Sequence, residues 1–226
     1  MQAEFDETYH HIETPTVSMP TDTKKRVLYI PTQKDNLLEY YQNPLFWYLS
    51  TLKWTYKRKL DGSNLRVKWD GDRVIWNGKT NKFDCPKGLA EYMAETFPEE
   101  IFEEKFGREK TVLLFGEYMG PKVQGNELGL EEREFILFDV KIGNSWLAPE
   151  NVEAVAKYFW LKTYADFGER GEDTLLNLIS RVAGGEFKDW EGIVCSPSVP
   201  CLQPNGGRVI CKIKNKDYLI KQDRPA

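Results

Sequence analysis

The segment Lys59-Leu60-Asp61-Gly62-Ser63-Asn64 puts a lysine immediately before an Asp-Gly turn, with a strand to follow. A turn there holds an ammonium at the mouth of a sheet, with backbone and Asn64 arranged around it. Lys53, Lys57 and Arg58 lie close in sequence, and positive neighbours lower a lysine's pKa and increase its free-amine fraction. Taken alone, the segment reads as an ordinary β-turn after a basic helix end. What changes that reading is the ordered series behind it. Phe115-Gly116-Glu117 sits at one strand end, Phe138-Asp139 at another, and Glu191-Gly192 opens a third. Lys212-Ile213-Lys214 then places two lysines on one face of a fourth strand, because strand side chains repeat every two residues. Two lysines on one face suggest an anion. The acids Glu117 and Glu191 suit a ribose hydroxyl and a divalent metal, and an aromatic such as Phe138 suits stacking on a purine. Together these are the needs of nucleotidyl transfer.

The elements that must position these residues are legible from periodicity. Leu65-Arg66-Val67-Lys68-Trp69 alternates apolar and basic, Asp70-Gly71 supplies a hairpin turn, and Val74-Ile75-Trp76 returns. Leu89, Met93 and Phe97 recur at helical spacing, with Glu91, Glu95, Glu99 and Glu100 on a solvated side. Thr111 to Phe115 and Phe135 to Val140 read as buried strands. Pro149 opens a helix striped with Val152, Val155, Ala156 and Phe159, and a second helix carries Leu175, Leu176, Ile179 and Val182 until Gly184-Gly185 ends it. Gly192 to Cys195 and Val209 to Ile213 are two further strands around a loop rich in Pro and Gly. Residues 1–26 read as an irregular N-terminal arm leading into a short strand, Val27 to Ile30, and residues 27–226 read as one domain. Strands outnumber helices in hairpin-like and mixed order, so the class is α+β with antiparallel sheet.

Composition bounds the function classes. The 226 residues, 41% hydrophobic and 29% charged, suit one large globular domain and exclude a disordered tail, collagen or a coiled coil. The aromatic run from Tyr40 to Leu52 is interrupted by Gln42, Asn43 and Ser50, and falls short of the roughly 18 apolar residues of a membrane span. Glu4, Asp6 and Glu7 precede any Lys or Arg, the reverse of a secretory signal's start, so a cytoplasmic location is expected. Cys85, Cys195, Cys201 and Cys211 lack the close pairing of a zinc knuckle and read as buried free thiols. With only His10 and His11, adjacent in the arm, catalysis must use Lys, Asp, Glu and backbone. The net charge of −4 argues weakly against a nucleic-acid partner, but it hides a segregation. Glu91 to Glu104 holds six acids and no base, whereas Arg208 to Arg224 holds six bases against Asp217 and Asp223. Trp47, Trp54, Trp69 and Trp76 read as core and hairpin packing.

In these motifs the chain resembles the covalent nucleotidyltransferases, the polynucleotide ligases and mRNA capping enzymes. Lys59 to Asn64 looks like their nucleophile motif K-x-D/H-G-x-N, and the Glu117, Phe138-Asp139, Glu191 and Lys212/Lys214 segments follow in the family's order. Within that superfamily it is most similar to the phage RNA ligase 2 type. The likeness lies in Gly116-Glu117-Tyr118 followed by Gly120-Pro121-Lys122-Val123-Gln124-Gly125-Asn126, and in Trp146-Leu147 with Glu150-Asn151-Val152. The match runs from about residue 50 to 220. It implies a nucleotidyltransferase (ATP-grasp-like) domain of antiparallel sheets flanked by helices. It also implies that Lys59 attacks the α-phosphate of ATP to give lysyl-AMP, that Glu117 holds the ribose and that Phe138 stacks on adenine. Glu191, with Asp139, would place Mg2+ or Mn2+, Lys212 and Lys214 would bind the α-phosphate, and Asn64 would contact a phosphate.

The chain departs from that pattern in places. Gly78-Lys79-Thr80 stands where the family usually has an arginine, so Lys79 takes a ribose or phosphate contact without the bidentate fork. Arg58 precedes the nucleophile where a glutamate is frequent, and joins the expected nucleotide-binding set. The sequence ends twelve residues after Lys214, so a separate C-terminal domain is expected to be absent. The resemblance therefore implies a minimal, phage-like, ATP-dependent RNA ligase of the RNA-repair kind. It would be monomeric, would join the 5′-phosphate and 3′-hydroxyl of nicked or single-stranded RNA ends, and would have room for a partner protein to supply grip. It would lie in the cytoplasm, that of the host if viral. The rivals are a DNA ligase, a capping guanylyltransferase and a non-catalytic end-binding protein of the same fold. The loop with Lys122, Gln124 and Asn126 reads either as a nucleic-acid contact or as a simple turn.

Overall fold

The computed structural model describes residues 16–18, 27–29, 48–80, 83–167, 170–203 and 206–217. The strands are β1 (Thr16–Ser18), β2 (Val27–Tyr29), β3 (Lys53–Arg58), β4 (Ser63–Trp69), β5 (Val74–Gly78), β6 (Val112–Met119), β7 (Glu134–Ile142), β8 (Ser145–Trp146), β9 (Arg170–Thr174), β10 (Gly192–Pro197) and β11 (Cys211–Lys214). The helices are α1 (Leu89–Thr96), α2 (Glu99–Phe106), α3 (Pro149–Tyr158) and α4 (Leu175–Ala183). They divide between two compact units, one within Asp61–Phe167 and one made of chain from both sides of it.

The Asp61–Phe167 unit is built on an antiparallel sheet of order β5-β4-β6-β7-β8. Alternation sorts its two faces. Leu65, Val67 and Trp69 of β4 are buried in a core with Trp76, Leu114 and Val140 from neighbouring strands. The apolar stripes of α1, α2 and α3, including Leu89, Phe102 and Val155, close over that face. The expected turn forms, with Asp70 Oδ1 accepting the backbone N–H groups of Asp72 and Arg73, both at 3.0 Å. The acidic run is two helices rather than one, because Pro98 is extended and starts α2 afresh. Its acids are also not all idle: Glu99 accepts the Val74 N–H at 3.1 Å and Glu103 pairs with Arg108.

The other unit carries a sheet of order β2-β1-β11-β10-β3-β9. Its β3, β9, β10 and β11 pair antiparallel, and β1 joins β11 and β2 in parallel. Trp54 and Tyr56 of β3, Ile193 and Cys195 of β10, and Cys211 and Ile213 of β11 form one buried face under Leu175, Leu178, Ile179 and Val182 of α4. Thr174 caps that helix by accepting the Asn177 N–H at 3.2 Å. Cys195 and Cys211 are direct cross-strand partners and buried free thiols, as expected, whereas the free thiols Cys85 and Cys201 lie outside the core, the first exposed and the second half-buried. Trp54, Trp69 and Trp76 are core residues, as their spacing predicts, while Trp47, His10 and His11 lie outside the described residues. So does the expected arm over 1–26, apart from the strand β1. Among the described residues no helix is long and apolar enough to cross a membrane.

Candidate active site

Within the second unit, β3 delivers its basic end to the start of β10. The Lys59 N–H donates to the Gly192 carbonyl at 2.9 Å, which extends the ladder past Arg58 and fixes the lysine backbone beside Glu191. The Lys59 ammonium donates to a carboxylate oxygen of Glu191 and, at 3.3 Å, to the Leu60 carbonyl. Lys214 Nζ takes the other Glu191 oxygen at 2.6 Å. These three side chains are 20%, 17% and 19% exposed for Lys59, Glu191 and Lys214, so the cluster is partly shielded yet open to a ligand. Burial alone would push the Glu191 carboxyl up, but hydrogen bonds from Lys214 and then Lys59 outweigh it and hold the group below its usual range.

Strand periodicity explains the lysine pair on β11. Cys211 and Ile213 face the core, so Lys212 and Lys214 emerge on the opposite face, half-buried. Lys212 shares a rung with Val194, which in turn pairs with Lys57. The close pairing at the start of β10 requires a glycine. Gly192 has φ 154°, and a Cβ there would fall on the Ile213 carbonyl oxygen. Arg58, expected at the nucleotide, has its guanidinium over the Trp190 ring at 5.5 Å.

Within the first unit, the chain leaves the Asp-Gly turn directly into β4. The Asp61 N–H donates to Glu127 at 3.4 Å and the Gly62 N–H to Glu117 at 3.1 Å, so Glu117 is tied to the turn that follows Lys59. Gly62 is tightly packed as well: a Cβ there would lie 2.6 Å from the Tyr118 carbonyl oxygen. Asn64 stands directly opposite Glu117 across β4 and β6.

Phe138 is set by a bulge. Phe115 pairs with Asp139 and Gly116 with Leu137, which leaves Phe138 as the extra residue of β7 and re-aims its side chain. Its ring lies 6.2 Å from that of Tyr164, near parallel at 26°, and packs against the cluster of Ile75, Leu113 and Phe115. Asp139 is 7% exposed, and Lys79 is exposed just past β5. Among the described residues no group of three or more His, Cys, Asp or Glu is arranged to hold a metal ion.

Sequence reasoning missed three residues. Arg66, one of the basic residues alternating along the hairpin, is buried; its Nε donates to the Gly78 carbonyl at 2.8 Å, and burial pushes its pKa down. Its two-residue offset from Asn64 places both on one sheet face, and that offset was the available signal. Glu127 and Asn215, which clamp turns through backbone groups, gave no signal in residue type or spacing. The Gly-rich loop is a run of turns with positive φ at Lys122, Gln124 and Asn126. The Asn126 amide brackets Leu130, donating to its carbonyl at 3.0 Å and accepting its N–H at 3.1 Å.

Two largely antiparallel sheets flanked by helices, with a lysine before an Asp-Gly turn resting on a strand-end glutamate, define an α+β nucleotidyltransferase-like domain. The model of the RNA ligase family matches residues 52–214, and the chain belongs to that family. It is similar in fold to solved structures of an RNA ligase from Naegleria gruberi. The structure with PPi is 17% identical at a TM-score of 0.57, covering 98% of this chain and 64% of that one. A lysine-to-alanine variant with ATP and Mn is 18% identical at 0.58, covering 93% and 62%. A glutamate-to-alanine variant with AMP and Mn is 17% identical at 0.58, covering 91% and 60%. The chain thus spans less than two-thirds of the length of the structures it matches. No curated protein matches it.

Proposed function

We propose that this chain is the catalytic domain of an ATP-dependent RNA ligase, lying over residues 27–226 after an N-terminal arm, and that it joins 5′-phosphate and 3′-hydroxyl ends through lysyl-AMP at Lys59. The observation that carries the reading is the Lys59–Glu191–Lys214 cluster at the K-x-D-G turn of a chain in the RNA ligase family. In the first step Lys59 Nζ forms a bond to the α-phosphorus of ATP, the bond from that phosphorus to the bridging oxygen breaks, and pyrophosphate leaves. The attacking amine gives up a proton to solvent in this step, and Glu191, on which it already rests, holds it in place for the attack. Lys214 and Lys212 offset the charge of the α-phosphate, Glu117 receives the ribose and Phe138 stacks on the adenine. AMP then passes to an RNA 5′-phosphate, and a 3′-hydroxyl displaces it. Asn64, Lys79 and Arg58 are the further contacts proposed from sequence.

The metal reading fits a particular kind of site. With each Glu191 oxygen on a lysine and no cage of ligands among the described residues, the donor set suits an ion such as Mg2+ or Mn2+ held by one or two carboxylates and mainly by substrate phosphates. Glu191 is the first such carboxylate, and Asp139 is the second proposed from sequence. When bound, the ion adds positive charge at the α-phosphate. The ATP, AMP and Mn present with the Naegleria gruberi ligase support this choice of nucleotide and metal class.

Incubation with α-labelled ATP beside α-labelled GTP, followed by a denaturing gel, tests the reading. A covalent band with ATP alone is expected. No band with either nucleotide would leave a binding protein of the same fold, and a band with GTP alone a capping enzyme. Faster sealing of a nicked DNA than of the matching RNA at every salt concentration would overturn the choice of RNA.

A further inference from the structure

We propose that Asn215 is a positioning residue for this site: one buried side chain fixes the turn that carries Glu191 and locks it to the strand that carries Lys214. Asn215 is 4% exposed and directly follows β11. Its backbone N–H donates to the Glu191 carbonyl at 3.1 Å. Its side-chain Nδ2 donates to the Trp190 carbonyl at 2.6 Å and also to the Phe187 carbonyl. Three carbonyls of a single turn therefore converge on one residue.

The amide can face only one way. Turned over, Oδ1 would meet two carbonyl oxygens, acceptor against acceptor. In the orientation present, Oδ1 is buried without a hydrogen-bond partner among the described residues. An unmade buried hydrogen bond is a cost that a residue selected for stability alone would avoid. The same turn is held on its other flank by Arg58, whose guanidinium lies over the Trp190 ring next to Lys59 in the chain. Glu191 thus reaches Lys59 and Lys214 from a turn that Asn215 ties to the end of β11. Without the two side-chain bonds the turn is free to shift, and the carboxylate with it.

The test uses Asn215→Ala and Asn215→Asp, the second keeping the shape while losing both side-chain donors. Lysines are acetylated with the N-hydroxysuccinimide ester of acetic acid and quantified by peptide mass spectrometry, with half-buried Lys68 as the internal standard for overall integrity. In both variants Lys59 and Lys214 should acetylate several-fold faster than in the unaltered protein, with Lys68 unchanged. A second measurement rests on the adenylylation reading. The single-turnover rate of AMP transfer should fall on the order of a hundredfold, while the half-saturating ATP concentration stays nearly constant. Should the unaltered protein take no AMP at all, that reading fails, and the acetylation pattern alone still decides the role of Asn215. Unchanged acetylation of Lys59 in either variant, or an equal rise at Lys68, overturns the proposal.

Discussion

Lys214 holds one oxygen of Glu191 at 2.6 Å, and the other oxygen is left to Lys59. A carboxylate shared in this way keeps two ammonium groups at close quarters where a phosphate can take its place. Removing the carboxylate charge should therefore cost more than one contact. Glu191→Gln should slow covalent labelling by about a hundredfold, the size expected for one oriented charge at a transfer centre. Lys59→Ala should abolish labelling while melting within a few degrees of the unaltered protein. Labelling that survives Lys59→Ala would move the nucleophile elsewhere, and Lys57 would be the next lysine to replace.

The bulge at Phe138 makes a prediction about the nucleotide rather than about the transfer step. A ring re-aimed by an extra residue of β7 and backed by Tyr164 is braced for stacking. A base on an aromatic is worth about 1–3 kcal/mol, so Phe138→Ala should raise the half-saturating ATP concentration by roughly tenfold. The maximal rate of labelling should change little. A fall in rate at saturating ATP with unchanged affinity would show that Phe138 supports Asp139 or the sheet instead.

Gly192 tests the pairing on which the lysine cluster depends. At φ 154° with the Ile213 carbonyl oxygen where a Cβ would go, neither the backbone nor the neighbour can yield cheaply. Gly192→Ala should lower stability by about 1–3 kcal/mol from backbone strain alone. It should also push β11 from β10 and separate Lys214 from Glu191. Denaturant unfolding reads the first effect and AMP labelling the second. A variant as stable and as active as the original would show that β10 re-pairs without loss.

How far the sequence reaches can be judged residue by residue. The hairpin at Asp70-Gly71, the apolar runs of β6 and β7 and the stripe of α4 were legible because one buried face imposes a period on residue type. Lys212 and Lys214 were legible for the same reason, as the complement of Cys211 and Ile213. Strand β9 was not: Arg170-Gly171-Glu172-Asp173-Thr174 carries no apolar pattern, and its conformation comes from pairing with β3. Arg66 failed in the opposite sense, since alternation predicts which face a residue takes but not whether that face is wet. The division into two units was also hidden, because the chain leaves one unit and returns 107 residues later without a change of composition at either crossing.

Tyr92 supplies a prediction about alkaline stability. Its hydroxyl accepts the Phe135 N–H at 2.7 Å, and burial, above all other causes, pushes its pKa up to about 12. The unfolded chain would ionise near the ordinary value of about 10, so the folded state is the one that resists losing the proton. The stability this contributes is whole below pH 10 and is lost as the pH rises from there toward 12. Over those two units the loss amounts to about 2–3 kcal/mol. Tyr92→Phe should start lower, by about 1–3 kcal/mol at pH 8, because the Phe135 N–H is left without its acceptor. Its stability should then fall less steeply between pH 10 and 12, so that the two proteins converge. Urea unfolding of both at half-unit steps from pH 8 to 12 measures the difference directly, and Tyr158, whose hydroxyl is also pushed up by burial, cancels in the comparison. Parallel curves across that range would mean that the Tyr92 hydroxyl is as free to ionise in the folded chain as in the unfolded one.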